Sequence, residues 1–308
     1  MSSEEKKRVL VTDGMAKEGV KILRDAGFEV ELLEDKSKLL DRVKDVHGLV
    51  VRSATKVNSE LLDAAEKLQI VARAGVGLDN IDLNECKKRG IEVVNSPEGP
   101  TPSVAEFTLA LLIGAARKIG HGNHMLKQGK WVKKECVGVE LRGKTLGVIG
   151  TGAIGGTVAQ YALALGMRVL GYDIVIRDDL KALENFEYTD LDSLIEESDF
   201  ITLHVPLIPP TKHMLNKDRF EKMKDGVVIV NAARGGVINE KDLLDALNSG
   251  KVGAVGLDVF EEEPNPDPEL ISHPAVLATP HVGASTKEAS IRNSTIVAEK
   301  IVKFFASS

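Results

Sequence analysis

Three residues able to share one piece of chemistry follow three apolar stretches in the second half of the chain. Arg234 comes after Val227–Ala232, in AARGG; Glu263 ends the acidic run that follows Gly253–Asp258; His281 follows Pro280, after Val276–Thr279. An arginine offers a planar fork of donors to a carboxylate and to a neighbouring oxygen, and stays charged at any working pH. A histidine takes or gives a proton near neutrality. A glutamate on the far ring nitrogen orients the imidazole and stabilises its charged form. Oxidation of a 2-hydroxy acid needs this set: an anchor for the carboxylate and C2 oxygen, and a base for the hydroxyl proton as hydride leaves C2. Singly, each residue has an ordinary alternative as a surface arginine, a solvated glutamate or a loop histidine. Their emergence from consecutive strand ends favours the chemistry, because sites of open α/β sheets lie at the carboxyl ends of strands.

The hydride also needs an acceptor. Residues 145–155, TLGVIGTGAIG, run an apolar strand into Gly150-x-Gly152-x-x-Gly155, and a second strand, Met167–Tyr172, ends on Asp173. The first glycine permits a tight turn, the second lets backbone approach a pyrophosphate, and the third lets the next helix pack on the sheet. The helix N-terminus supplies unpaired N–H groups and a positive dipole end to the same group. Asp173 is placed to accept from the adenosine ribose and would repel a 2′-phosphate, so NAD is expected rather than NADP. Arg177 reads as a solvated surface charge.

The elements that must position these groups alternate strand and helix. Strands are expected at Arg8–Thr12, Phe28–Leu32, Gly48–Val51, Ile70–Arg73 and Ile91–Val94, then at Thr145–Gly150, Met167–Tyr172, Phe200–Val205, Val227–Ala232, Gly253–Asp258 and Val276–Thr279. Such alternation implies an α/β fold with two doubly wound parallel sheets, their strands covered on both faces. The prolines of Asn95–Pro102 mark a linker, and Ser103-x-x-Glu106 reads as a capping box opening a long helix. That helix is apolar around most of its circumference, which places it between lobes or against a second subunit. The tail, Ser285–Phe305, reads as one more helix that could return to the first lobe. The expected domains are residues 1–96 plus 284–308 and residues 97–283.

Composition limits the partners. The 308 residues are 43% hydrophobic and 28% charged with net charge −6, an ordinary globular balance lacking the basic footprint of a nucleic-acid binder. MSSEEKKRVL has no apolar leader segment, and the longest apolar stretch, Val104–Ala116, is too short for a bilayer, so neither secretion nor membrane insertion is expected. Cys86 and Cys136 form no disulfide framework, which fits a reducing cytoplasm. His121 and His124 lack a nearby carboxylate or thiolate partner, and no metal site is expected.

Seven blocks extend this reading: VVRSATKV (50–57), RAGVGLDNID (73–82), NSPEGPTPSVAE (95–106), GVIGTGAIG (147–155), NAARGGVINE (231–240), GLDVFEEEP (256–264) and PHVGAST (280–286). With them the chain resembles the D-isomer-specific 2-hydroxyacid dehydrogenases over nearly its whole length. The resemblance implies an NAD-binding Rossmann domain inserted in a discontinuous, flavodoxin-like substrate domain. It implies that Arg234 binds substrate, that Glu263 is the relay carboxylate and that His281 is the acid–base group. It also implies cofactor contacts at Ala153, Ile154, Asp173, Val205, Ala232, Asp258 and Gly283. Val76 and Gly77 would face the substrate carboxylate, with Asn95 bordering the cleft and Ser53 in a matching loop. RSATKV, the Asn95 block and HVGAST point to the branch whose substrate, 3-phospho-D-glycerate, carries a phosphate; one or both of Arg52 and Arg73, each ending a first-lobe strand, are expected to bind that phosphate, the alternative being a salt bridge to acids of the other lobe. Glyoxylate or hydroxypyruvate reductases share the machinery, and NADH-sensing regulators resemble it. A homodimer through the NAD-binding domain is implied, and no regulatory domain is expected beyond the final helix.

Overall fold

The computed structural model describes residues 6–307. The chain forms two compact units, one of the residues up to Thr101 together with those from Ser285 onward, the other Pro102–Ala284. The first crossing lies a few residues beyond the expected 96/97.

The first unit holds β1 (Arg8–Val11), β2 (Glu29–Leu32), β3 (Gly48–Val51), β4 (Ile70–Arg73) and β5 (Glu92–Asn95) in one sheet of order β2-β1-β3-β4-β5. All pairs are parallel, the flavodoxin-like arrangement. The apolar GLVV run of β3 is buried at every position because helices cover both faces. Asn58 and Asp82 cap the helices that follow, accepting from the N–H groups of Leu61 and Glu85. The tail helix, Lys287–Ala306, is capped by Thr286 and packs on Lys17–Asp25. Its Val297, Ala298 and Ile301 share a core with Val9, Val11 and Ile70, so this unit is discontinuous in sequence.

The second unit holds β6 (Thr145–Ile149), β7 (Arg168–Tyr172), β8 (Phe186–Tyr188), β9 (Phe200–Leu203), β10 (Val227–Asn231), β11 (Val252–Leu257) and β12 (Val276–Ala278), ordered β12-β11-β10-β9-β6-β7-β8 and parallel throughout. Strand order runs outward one way from β6 to β8 and the other way from β9 to β12. The break between β6 and β9 is the switch point at which such sheets open a crevice. The short edge strand β8 lacks the apolar run that marks its neighbours and was not expected.

The helix after the linker corrects two expectations. It spans Thr101–Ala116, so Ser103 lies buried inside its first turn rather than capping it. Pro102 has no N–H to satisfy and is tolerated there, which lets the helix start earlier. Nor does it wait for another lobe or subunit: Ala105, Leu111, Leu112, Ala115 and Ala116 pack in one core with Leu146, Val148, Phe200 and Val230 of its own unit. A Cβ on Gly256 of β11 would lie 3.0 Å from the Leu111 side chain, so that glycine lets helix and sheet close together. Truncating the fully buried Leu112 to alanine would cost about 2–5 kcal/mol.

Candidate active site

At the switch point β6 ends in the glycine loop. Gly150 turns at φ +92°, in the left-handed region, and a Cβ there would strike the His204 carbonyl at 2.6 Å. A Cβ on Gly155 would lie 1.9 Å from the Gly150 carbonyl oxygen, so only glycine lets the following helix start this close to the turn. Gly152, just before that helix (Ala153–Ala164), has nothing within 4 Å of its would-be Cβ. The space over Gly152 and the helix N-terminus is open, as a pyrophosphate would require. Ala153 and Ile154 form the first turn beneath it.

Asp173, at the tip of β7, grips this loop. Its Oδ2 accepts from Thr151 N at 2.6 Å and its Oδ1 from Val175 N at 3.1 Å. Arg177 differs from the reading as a solvated charge. Its Nη1 donates to the Gly152 carbonyl at 3.0 Å, and its other nitrogens pair with Asp179 at 2.6 and 3.1 Å. Tyr188 of β8 ties the same corner, its hydroxyl 2.9 Å from Thr151 Oγ1 and accepting from Arg177 N at 3.2 Å. The one signal for this in the sequence is an aromatic in a short charged stretch, too little to place it.

Across the switch point, β9 leads into His204 and Val205. Val205 flanks Gly150, while His204 packs under the loop with Nε2 3.0 Å from Thr202 Oγ1. Burial pushes the His204 imidazole down to about 3. The residue retains some accessible surface, but Thr202, which its Nε2 meets, is fully buried.

From β10 the chain passes Ala232 to Arg234. Asn231 sets this turn: its Oδ1 accepts from Ala233 N at 3.0 Å and its Nδ2 donates to the Arg234 carbonyl at 2.9 Å. A Cβ on Gly235 would lie 1.7 Å from the Phe260 carbonyl oxygen, so the Arg234 loop and the loop after β11 touch backbone to backbone. That second loop carries Glu263, whose Oε1 accepts from Phe260 N at 3.1 Å. Its Oε2 lies 2.8 Å from Nδ1 of His281, in the loop after β12. His281 sits at φ +54°, unusual for a residue with a side chain, and its N–H donates to the Thr279 carbonyl at 3.1 Å. Buried Asp258 organises the same loop, accepting from Thr279 Oγ1 at 2.7 Å, Val282 N at 2.9 Å and Gly283 N at 2.7 Å. A cavity of about 340 Å³ opens beside the pair, lined by Phe260, Pro264, Ile271 and Pro280 among others.

The remaining candidates lie in the first unit. Asn80, which the sequence reading did not single out, joins two of them. Its Nδ2 donates to the carbonyls of Arg52 and Thr55 at 2.8 and 2.6 Å, and its Oδ1 accepts from Arg73 Nε at 3.2 Å. Asp13 holds the Arg52 loop from the other side, accepting from Arg52 N and Thr55 N at 2.9 Å each. Burial raises the Asp13 carboxyl, but Lys36 and these donors outweigh it and hold it below its ordinary value. Ser53 is exposed in that loop. Asn95 pairs with Arg73 across β4 and β5 and donates to the Val76 carbonyl at 2.6 Å, fixing the turn that carries Val76 and Gly77.

A family model described as the NAD-binding domain of D-isomer specific 2-hydroxyacid dehydrogenases matches residues 109–283. The chain belongs to that family. NAD is the cofactor, and the glycine turn with the open space over Gly152 at the helix N-terminus fits a pyrophosphate. Among relatives in the D-isomer-specific 2-hydroxyacid dehydrogenase family, the hydroxypyruvate reductase of Thermotoga maritima is 48% identical, over 96% of this chain and 97% of its own. The D-3-phosphoglycerate dehydrogenase of Methanocaldococcus jannaschii is 47% identical over 96% of this chain, which spans 57% of that protein. The D-lactate dehydrogenase of Aquifex aeolicus, crystallised with NAD and lactic acid, superposes with TM-score 0.83 at 36% identity, covering 97% of this chain and 95% of its own.

Proposed function

We propose that the chain is an NAD-dependent phosphoglycerate dehydrogenase, interconverting 3-phospho-D-glycerate and 3-phosphohydroxypyruvate at the entry to serine synthesis. The observation that carries its dehydrogenase chemistry is the 2.8 Å contact between Glu263 and His281 on the rim that also bears Arg234. In the oxidative direction His281 takes the C2 hydroxyl proton on Nε2, while Glu263 at Nδ1 stabilises the imidazolium that forms. Arg234 holds the substrate carboxylate and C2 oxygen through its fork of donors. Bound NAD supplies the hydride acceptor. Gly150, Gly152, Ala153, Ile154, Gly155 and Asp173 seat its adenosine diphosphate part, and Val205, Ala232, Asp258 and Gly283 border its nicotinamide. Ser53, Val76, Gly77 and Asn95 complete the substrate contacts. The domains are taken as 1–96 plus 284–308 for substrate and 97–283 for cofactor.

The phosphorylated substrate is supported by Asn80, which joins the Arg52 backbone carbonyl to the Arg73 guanidinium, and by the phosphoglycerate dehydrogenase likeness. A second reading, hydroxypyruvate reductase, is favoured by the full-length match to the Thermotoga relative. A homodimer through the cofactor-binding unit is supported by Ile119, Leu126, Trp131 and Val137, large apolar residues on one segment that are 56%, 58%, 81% and 72% exposed.

The deciding experiment compares NADH oxidation with phosphohydroxypyruvate, hydroxypyruvate and glyoxylate. A kcat/KM preference of about a hundredfold for the phosphorylated substrate, roughly 2.7 kcal/mol, is expected. Arg52→Ala and Arg73→Ala should erode it selectively. Preference for an unphosphorylated acid would favour the reductase reading; NADH binding without turnover would point to a regulator.

A further inference from the structure

Three rim loops of the seven-stranded sheet meet at a pair of glutamates outside the proposed catalytic trio. Glu240 begins the helix Glu240–Asn248, shortly after the Arg234 turn. Glu261 lies two residues before Glu263. Their bonds are reciprocal: Glu240 N donates to Glu261 Oε1 at 3.0 Å, and Glu261 N donates to a carboxylate oxygen of Glu240 at 2.7 Å. Glu261 thus caps a helix belonging to another loop, at the end where a negative charge is favoured. His213, from the loop after β9, places Nε2 3.2 Å from the same Glu261 oxygen and donates its backbone N–H to the Gly236 carbonyl at 2.8 Å. Leu215 and Ile238 bridge the same two loops further on.

Two like charges held this close need a reason. Burial raises the Glu240 carboxyl; the Glu261 N–H works against that rise, while Glu261, Asp267 and Glu262 add to it. The arrangement is therefore not one that the two carboxylates would adopt for mutual attraction. What it does achieve is geometric. The Arg234 loop and the Glu263 loop already touch at Gly235 and Phe260, with no side chain between them. The crossed pair of hydrogen bonds fixes their register on the far side of that contact.

We propose that Glu240 and Glu261 form a latch that positions Arg234 and Glu263 relative to each other, with His213 as its outer clasp. Both are positioning residues that touch neither substrate nor cofactor. The inference rests on the dehydrogenase reading above for its kinetic consequence, though not for its structural one.

The test uses Glu240→Ala and Glu261→Ala with the conservative Glu240→Gln and Glu261→Gln, which retain an acceptor oxygen. On whichever 2-oxo acid the parent protein reduces best, each alanine variant should lose at least about tenfold in kcat while NADH affinity, read by fluorescence, stays within twofold. Each glutamine variant should recover to within about threefold of the parent. Alanine variants within twofold of the parent overturn the latch. So do glutamine variants as slow as alanine, or NADH affinity falling in step with kcat. Hydrogen exchange at the Glu261 amide gives an answer independent of turnover: about tenfold acceleration in Glu240→Ala is expected, and unchanged exchange overturns the proposal. A parent protein that binds NADH but reduces no 2-oxo acid would defeat the dehydrogenase reading alone, leaving the exchange result to judge the latch.

Discussion

Glu263 Oε2 stands 2.8 Å from Nδ1 of His281, joining the loop after β11 to the loop after β12. The contact commits one ring nitrogen to the protein and directs the other away from it, as a proton-transfer group requires. His281→Asn should lower kcat by about 10²–10⁴-fold with NADH affinity unchanged. Glu263→Gln should lose less, at least about tenfold, since the amide still accepts at Nδ1 but no longer stabilises the imidazolium. Steady-state rates beside NADH binding check both; activity within threefold in either variant would remove that residue from the chemistry.

The glycine loop separates fold from binding. Gly155→Ala must push its methyl into the Gly150 carbonyl, 1.9 Å away, and should destabilise by about 1–3 kcal/mol, seen as a lower Tm without ligand. Gly152→Ala meets no neighbour within 4 Å and should leave Tm unchanged. Its methyl enters the space left for the pyrophosphate, so NADH affinity should fall at least about tenfold. Equal behaviour of the two variants in both assays would mean that this loop does not seat the dinucleotide.

Asp173 and Arg177 bear opposite charges beside the glycine loop, and under the proposed function only the aspartate meets the ribose. Arg177 is engaged by Asp179 and the Gly152 carbonyl. Asp173→Ser should therefore raise the NADPH-to-NADH ratio of kcat/KM by at least about tenfold. Arg177→Ala should weaken both cofactors by loosening the loop. A gain in NADPH use from Arg177→Ala would mean that the arginine, not the aspartate, guards the site.

His204 ties stability to pH. Its unperturbed value is 6.5 and burial takes it to about 3 in the folded chain, so the folded state favours the neutral ring. The stability this contributes is complete above 6.5 and is lost as pH falls toward 3, at about 1.4 kcal/mol per pH unit at most. The C2–H resonance of His204 should hold its shift between about pH 8 and about pH 5. A midpoint near 6.5 would show the ring to be solvated.

Much of this was legible in sequence because β3, β6, β9 and β10 are largely apolar runs, and because Gly150, Gly152 and Gly155 punctuate the exit from β6. Arg234, Glu263 and His281 could be named together once their strands were in order. Less legible was whatever depends on distant partners. Phe186–Tyr188 becomes a strand only beside β7, and Arg177 becomes part of the glycine loop only when that loop folds under it. Asn80 reaches Arg52 across 28 positions, and Glu240 meets Glu261 across 21. No local pattern encodes such pairs. The Thr101–Ala116 helix carried the right signal, an apolar surface needing cover, but periodicity does not say which layer supplies it.

The tail helix, Lys287–Ala306, has a consequence for how the molecule is made. Val297, Ala298 and Ile301 fill a core whose other walls, Val9, Val11 and Ile70, leave the ribosome first. The unit begun earliest is thus completed only after the whole of Pro102–Ala284 has been synthesised. During elongation the inserted unit can bury its own apolar faces, while the five strands before it wait with one side covered only in part, by the Lys17–Asp25 helix. The nascent chain should mature in the reverse of its reading order, with the interval of exposure set by the time needed to translate the inserted unit.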